Sequence, residues 1–430
     1  MPEAPTAICI VAHAHPAFTK GGGEMAAFRE FTTLRAAGHR AILVAAAEMG
    51  PAAPGGRLLR HAPDEHLYDP YGMTEDRLFW SDLAAREALL ALLVAQPVQV
   101  FHFHHVWRVG FDLVAALMEA RPDARFVLTL HEMLAICAHH GQMIRTRGRE
   151  LCHGYAPALC ANCFPERTPR HFALRRATWL ALLNRFDGVI YPSEFIRTRF
   201  RDWGFAAREE TVLENVLGEE LAATPRASAE PGLGQHFAFF GQPTPFKGLD
   251  VLIRGFALAL AREPGLFLSL HGCEREEVLR LFPALEAALD AAGPAIFFAG
   301  RYDSGDVLGL MRLSGWVVVP SVWWENSPVV IQEARRAGVP LIVSDIGGMA
   351  EKVRPGLDGL HFRRGNAPDL ARALLAAAAP GRQEALAASQ TDSIGREEFL
   401  DGLLRALTGG QGAIREGGSG VAADRPLAES

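Results

Sequence analysis

No apolar run in this 430-residue chain approaches the roughly 18–20 residues needed to cross a bilayer, so a membrane-spanning helix is not expected. The first residues, Met1-Pro2-Glu3-Ala4-Pro5-Thr6, carry no basic segment ahead of an apolar one, which argues against a secretory leader. An excess of basic charge is also missing: Lys and Arg number 43 against 49 Asp and Glu, a net −6, so a nucleic-acid partner is not expected. That balance still leaves room for a local basic face that docks on a membrane. Cysteine is scarce, at six residues. Without a leader the chain is expected in the cytoplasm, where thiols stay reduced, and a disulfide framework is not expected there.

What is present reads as a two-domain α/β protein. The length suits two domains of roughly 150–200 residues each. Near the N-terminus an apolar run, 7–11, leads through His13 and His15 into Lys20-Gly21-Gly22-Gly23-Glu24. A helical pattern over about 25–37 and a second apolar run over 41–47 complete a βαβ unit, the mark of a parallel sheet. Strands are read again at 98–103, 126–130, 188–191 and 212–214, with a helix at 111–119. Residues 218–235 are rich in Ala, Gly, Pro, Glu and Ser and read as a linker. The rhythm then restarts, with strands at 236–240, 266–271, 295–298, 316–319 and 341–343. Helices are read between them at 249–261, 276–291, 307–313 and 329–337. The expected division is an N-terminal domain over 1–217 with a cysteine-rich insertion at 131–165, and a C-terminal domain over 236–385. A C-terminal helix at 386–408 is expected to pack back on the first domain, ahead of a disordered tail at 409–430. Two such halves face each other across a cleft, and ligands of parallel sheets bind beyond the C-terminal strand ends. No Gly-x-Gly-x-x-Gly follows the first strand, which disfavours a dinucleotide oxidoreductase.

The densest polar signature is Pro320-Ser321-Val322-Trp323-Trp324-Glu325-Asn326-Ser327-Pro328, running into Glu333. Proline at a first-turn position marks a helix start, whose free N–H groups and positive dipole end suit a phosphate or a sugar hydroxyl. Glu325 before that helix and Glu333 within it are carboxylates able to accept from hydroxyls; taken alone, the same two residues fit a capped surface helix better, and it is the surrounding segment that changes the reading. The segment is joined by Gly338-Val339-Pro340, Ser344-Asp345-Ile346-Gly347-Gly348, Gly241-Gln242 with Lys247-Gly248 five residues on, Pro192-Ser193-Glu194-Phe195 and Asn215. As a set, over about residues 7–405, these motifs resemble the E-x7-E signature of retaining glycosyltransferases of the GT-B type, family 4.

That resemblance implies a GT-B fold and transfer of a hexose-type sugar from a UDP- or GDP-sugar to a glycan, lipid-linked or small-molecule acceptor, as in glycan or polysaccharide biosynthesis. The family usually needs no divalent metal, and nothing here resembles the Asp-x-Asp site of the other major glycosyltransferase fold. Residue by residue, Lys247 would bind the donor diphosphate, Glu325 the transferred sugar together with backbone near Asn326, Ser327 and Pro328, and Glu333 the ribose. The loop at Gly21, Gly22 and Gly23 would close on the diphosphate, and His131 would sit beside the sugar at the reacting face. One departure stands out: the family usually has arginine where this chain has Gln242, which is neutral and lacks the rigid donor fork. Arg301 is the candidate to compensate. The same departure makes a nucleotide-sugar-binding protein without turnover the alternative reading.

Two clusters remain. Cys137, Cys152, Cys160 and Cys163 fall within one short stretch, and Cys160-x2-Cys163 has metal-ligand spacing, so a structural zinc is weighed against unligated thiols. His102, His104 and His105 precede Trp107; strand alternation puts His102 and His104 on one face and His105 on the other. His104 and Trp107 are expected to line the acceptor side, Trp107 by stacking on a sugar ring.

Overall fold

The structure is a computed structural model that describes residues 6–410 except 20, 50–57, 71, 75–77, 149, 219–232 and 391–393. Among the described residues, fourteen strands fall into two sheets. The first holds β1 (Ala7–Ala12), β2 (Arg40–Ala46), β3 (Leu58–Ala62), β4 (Glu65–Tyr68), β5 (Val100–Phe103), β6 (Arg125–Thr129), β7 (Gly188–Tyr191) and β8 (Glu210–Val212). Its order is β3-β4-β2-β1-β5-β6-β7-β8, parallel except for β3. The second holds β9 (His236–Phe240), β10 (Phe267–His271), β11 (Ile296–Gly300), β12 (Trp316–Val319), β13 (Leu341–Ser344) and β14 (Gly359–Phe362), all parallel, in the order β11-β10-β9-β12-β13-β14. The central strands are mostly apolar and buried on both faces, as a parallel sheet between helix layers requires.

Several elements differ from the sequence reading, each for a local reason. The first helix begins at Gly22, not after the glycines, so Gly22 and Gly23 form its first turn and Gly21 its N-cap. The expected helix over 276–291 is two, Arg275–Leu281 and Glu286–Ala292, because Pro283 cannot continue the first. The edge pair β3–β4 and the helices Leu83–Val94, Pro169–Leu183 and Glu194–Asp202 were not legible in the periodicity. β8 ends at Val212, two residues before the expected strand does.

The C-terminal stretch expected as one helix over 386–408 is also two. Helix Arg382–Ala388 puts Leu386 into the core of the second sheet. Helix Arg396–Thr408 crosses back: Phe399, Leu403 and Leu407 share a core with Ile8, Ile10, Val100 and Val127 of the first sheet. The bulk of the expected linker, 219–232, and residues 411–430 of the expected tail lie outside the described residues. No helix among the described residues is long and apolar enough to cross a membrane.

Candidate functional site

Both halves contribute from the segments that follow their strands. On the C-terminal side, β12 ends at Val319 and the chain runs through 320–328 into helix Val329–Ala337, with Pro328 as its N-cap. The loop after β9 lies directly against this segment. Val322 N–H donates to the Phe246 carbonyl at 2.8 Å. Gly248 has φ +72, and a Cβ there would sit 1.9 Å from the Pro320 carbonyl oxygen, so only glycine lets the two loops meet. That contact delivers Lys247 to Glu325: Nζ donates to Oε1 at 2.7 Å. Ser321 Oγ and Trp323 Nε1 donate to the same oxygen, each at 2.9 Å. Burial pushes the Glu325 carboxyl up, but the Lys247 ammonium and the three hydrogen bonds outweigh it and hold the group below the ordinary carboxylate range. Gly347 and Gly348 brace the backbone behind. Gly348 N–H donates to the Glu325 carbonyl at 2.7 Å, and a Cβ on Gly348 would fall 1.5 Å from the Asn326 carbonyl oxygen.

Glu333, one turn into the helix, faces Tyr302: burial, then the Glu333 charge, push the Tyr302 hydroxyl up to about 12. Tyr302 packs edge-on against Phe240 at 5.7 Å, and Phe240 stacks on His271 at 4.5 Å. These rings stand at the ends of β9, β10 and β11, next to a carboxylate. Sequence reasoning missed Phe240 and His271; the signal was a histidine closing the strand read at 266–271.

Asn326 joins the halves. Its Nδ2 donates to the His131 carbonyl at 3.0 Å, and its Oδ1 accepts from Ser193 Oγ. Ser327 Oγ donates to Glu214 Oε1 at 3.2 Å, and Lys352 reaches both Glu214 and the Pro192 carbonyl. Gln332 Nε2 donates to the Asn215 carbonyl at 2.9 Å, and the Glu351 carboxylate takes the Glu194 and Phe195 amides at a helix N-terminus. The motifs around Pro192 and Asn215 therefore act as seam contacts.

On the N-terminal side the site is built from histidine. His131 follows β6; its Nε2 lies 2.9 Å from His104 Nδ1. His104 Nε2 lies 3.1 Å from Glu30 Oε2, and His102 Nδ1 lies 2.6 Å from Glu30 Oε1. His102 and His104 thus share a face, while His105 turns away to Glu132 Oε1 at 2.6 Å. Burial, reinforced by the neighbouring imidazoles, drives His131 well below the usual histidine range, and His13 likewise. Burial also lowers His104, against the Glu30 charge. Trp107 lies 5.7 Å from the His13 ring, with the Arg108 guanidinium 5.1 Å from its centroid. The first helix turn covers this group: a Cβ on Gly23 would lie 3.1 Å from His13 and 3.7 Å from His131, while Gly22 is exposed. Sequence reasoning missed Glu30, an acid with nothing in its local pattern to separate it from surface charge.

Three expected participants lie apart. The Arg301 side chain is 86% exposed, and its ion-pair partner is Glu277 at 3.7 Å, so it does not join the Lys247–Glu325 pair. Gln242 is exposed. Cys137, Cys152, Cys160 and Cys163 are free thiols lining one cavity of about 30 Å³. Among the described residues, the groups of three or more ligand atoms close enough to share an ion are His15–His61–Glu65 and Glu30–His102–His104, not the thiols. The thiol insertion nonetheless touches the site, since Trp324 Nε1 donates to the Cys152 carbonyl at 3.1 Å.

Comparison with known proteins bears on this arrangement. A model of Glycosyltransferase Family 4 matches residues 20–216, and one of Glycosyl transferases group 1 matches residues 234–379. A D-inositol 3-phosphate glycosyltransferase of Nocardia farcinica is 30% identical over 166 residues, 36% of this chain and 35% of that protein. A phosphatidyl-myo-inositol mannosyltransferase of Mycobacterium leprae is 27% identical over 205 residues, 45% of this chain and 53% of that one. The chain thus aligns with only about a third to a half of the length of these relatives. Sucrose-phosphate synthase from Thermosynechococcus elongatus superposes with a TM-score of 0.65 at 19% identity, covering 94% of this chain and 97% of that one. HepE from Anabaena in complex with UDP and glucose gives 0.63 at 17%, covering 94% and 100%. With one model matched on each half and a fold shared with these solved structures along nearly its whole length, the chain belongs to the family 4 glycosyltransferases of GT-B fold.

Proposed function

We propose that this protein moves a hexose-type sugar from a nucleoside-diphosphate sugar to a hydroxyl acceptor with retention at the anomeric carbon. The observation that carries this reading is the Lys247–Glu325 pair at the head of helix Val329–Ala337. Breaking the C1–O bond to the diphosphate builds negative charge on the departing oxygens. A lysine already fixed by Glu325, with helix N–H groups beside it, meets that charge without reorganising. Glu325 spends Oε1 on its three protein donors, and Oε2 is the oxygen we assign to a sugar hydroxyl. Glu333, beside Tyr302, takes the ribose diol, and the Phe240–His271–Tyr302 rings take the base. Gly22 and Gly23 let the first helix approach the phosphates from the other half. Charge stabilisation of this kind needs no metal ion in the reaction.

The donor is a UDP- or GDP-sugar; a UDP-sugar is supported by the UDP-glucose complex of HepE, a structural neighbour. The acceptor, a glycan, a lipid-linked sugar or a small polyol, enters beside His104 and Trp107, in the cytoplasm or at the inner face of its membrane. The names of the curated relatives, which act on inositol phosphate and phosphatidylinositol, favour a polyol-bearing acceptor. A second reading, donor binding with little turnover, rests on the exposed, neutral Gln242.

A thermal-shift screen against UDP-, GDP- and ADP-sugars, followed by donor hydrolysis, tests both readings, since a ligand of the folded state raises stability by RT ln(1 + [L]/Kd). Transfer is supported by a shift with one nucleotide class together with hydrolysis that Lys247→Ala lowers by roughly 10²–10³. A shift without any hydrolysis leaves the binding-protein reading. No shift with any nucleotide sugar overturns both.

For the thiol cavity we propose a structural zinc held by Cys137, Cys152, Cys160 and Cys163, which shapes the wall behind Trp324. Its binding must draw the thiols together from their present spacing. One equivalent of zinc in purified protein supports it; metal-free protein with four titratable thiols in the native state removes it.

A further inference from the structure

Glu30, His104 and His131 form a continuous chain from the core of the N-terminal half to its seam with the other half. Glu30 and His104 are buried and His131 half-buried; none of these contacts involves a backbone group or Thr129 except that His102, the second partner of Glu30, has its Nε2 at 2.7 Å from Thr129 Oγ1. Resting on the transfer reading above, we propose that Glu30 and His104 are positioning residues that fix His131 as the Nε2–H tautomer, so that His131 presents Nδ1 as a hydrogen-bond acceptor to a donor-sugar hydroxyl.

Donors and acceptors along the chain fix where the protons sit. An ionised carboxylate has only acceptors, so both nitrogens that face Glu30 must carry protons: His102 Nδ1 and His104 Nε2. Glu30 stays ionised: burial raises it, but the two imidazoles bring it down to about 2. A neutral His104 with its proton on Nε2 has a bare Nδ1, which can only accept. The contact at 2.9 Å is then filled by a proton on His131 Nε2. His131 is neutral as well, so its Nδ1 is bare. A proton on any neighbouring imidazole, His13 and His105 included, would work against a second one on His131, and the Arg108 guanidinium works the same way on His13. The seam fixes the other end of His131, because Asn326 Nδ2 holds its carbonyl at 3.0 Å. A side chain held by its ring from one half and by its backbone from the other has one orientation. A tautomer set by a buried carboxylate through a second imidazole costs nothing at the moment of reaction.

An opposite arrangement is chemically available. The ligand atoms of Glu30, His102 and His104 lie within 4.8 Å of one another. A divalent cation there would replace the protons that face Glu30, leave His104 protonated at Nδ1, and force His131 to accept at Nε2 and carry its proton on Nδ1. The two arrangements predict opposite tautomers for one residue.

Full-length protein labelled with 15N-histidine decides between them, by long-range 1H–15N correlation with His131 assigned from the signal lost in His131→Gln. This needs no donor, so it stands or falls apart from the transfer reading. The proposal expects a neutral His131 protonated at Nε2 in metal-free protein. A wild-type His131 protonated at Nδ1, or charged at neutral pH, overturns it even if no Glu30 or His104 variant folds. In His104→Phe the His131 signals should move toward a tautomer mixture. With the nucleotide sugar selected by thermal shift, kcat should fall roughly 10- to 100-fold while the Kd for the free nucleoside diphosphate stays within about twofold. Glu30→Gln tests the carboxylate. Its single acceptor can serve His104, because the Thr129 hydroxyl can turn to suit a flipped His102, so kcat should stay within about threefold, whereas Glu30→Leu should match His104→Phe. An unchanged kcat in folded His104→Phe, or equal losses in Glu30→Gln and Glu30→Leu, overturns the proposal.

Discussion

The two walls of the site solve the same problem by different means. The C-terminal wall is charged: Lys247 and Glu325 pair directly, and a helix N-terminus points at the same space. The N-terminal wall is built of neutral imidazoles: His13 and His131 are held below the usual histidine range by burial, as is the buried His104 beneath them, and the Glu30 carboxylate is set behind. A departing diphosphate needs fixed positive charge, which the first wall supplies. Sugar hydroxyls need oriented acceptors and donors more than they need net charge, which suits the second. The difference predicts that changes on the C-terminal wall act on turnover and nucleotide binding, and changes on the N-terminal wall act on orientation and on pH response.

The largest effect is expected at Lys247. Removing a preorganised group that meets transition-state charge costs roughly 10²–10³ in rate, so steady-state hydrolysis by Lys247→Ala should fall by that factor. If Lys247→Ala and His104→Phe instead lose rate equally, the contrast between the walls is gone. Next comes Gly348→Ala. A Cβ 1.5 Å from the Asn326 carbonyl oxygen forces the Glu325–Asn326 backbone to move. Overpacking of this kind costs about 1–3 kcal/mol, readable as a lower denaturation midpoint together with lost turnover. Wild-type stability and rate in Gly348→Ala would mean that this backbone is not held where the site needs it.

Glu333→Ala should weaken nucleoside-diphosphate affinity about tenfold or more, since hydrogen bonds to a charged group are worth roughly 1.5–3 kcal/mol. Calorimetric titration reads this, and unchanged affinity removes the ribose assignment. A smaller effect belongs to pH. Histidines whose folded-state pKa is lowered favour the unfolded state once the unfolded imidazole, near 6.5, takes up its proton. Their stability is therefore complete above about 6.5 and declines as the pH falls below it. In His131→Phe the slope of stability against pH between about 6.5 and 5 should be shallower by up to roughly 1.4 kcal/mol per pH unit. An unchanged slope would show that His131 does not titrate abnormally. The smallest change is expected from Gln242→Arg, which should raise kcat/KM by a few-fold at most if Lys247 and the helix already carry the diphosphate. A gain of about 10²-fold would instead move that role to position 242.

The contrast also explains what could be read in advance. Lys247, Glu325 and Glu333 stand in short motifs with fixed spacing, so a linear reading finds them. The βα rhythm of the second half was legible because its strands are mostly apolar runs between turn signals. Glu30 was invisible: it lies 72 residues from His102, in a helix whose burial pattern is not evident from its mixed sequence. The seam was hidden for the same reason, since Asn326 meets His131 and Ser193 across 195 and 133 residues. Gly22 and Gly23 read as a loop because glycine is a poor helix former, yet the close approach of Gly23 to His13 and His131 favours glycine at that position of the first turn. Arg301 had the right chemistry for a diphosphate, but the fold turns it to solvent.

The central claim is that Lys247 and Glu325 act as one unit on the donor. A double-mutant cycle on kcat/KM with the selected nucleotide sugar, using Lys247→Ala, Glu325→Ala and the double variant, measures that unit directly. The account predicts that each single variant loses nearly as much as the double, so the losses do not add. Losses that simply add, or single variants that hydrolyse the donor at the wild-type rate, would contradict it.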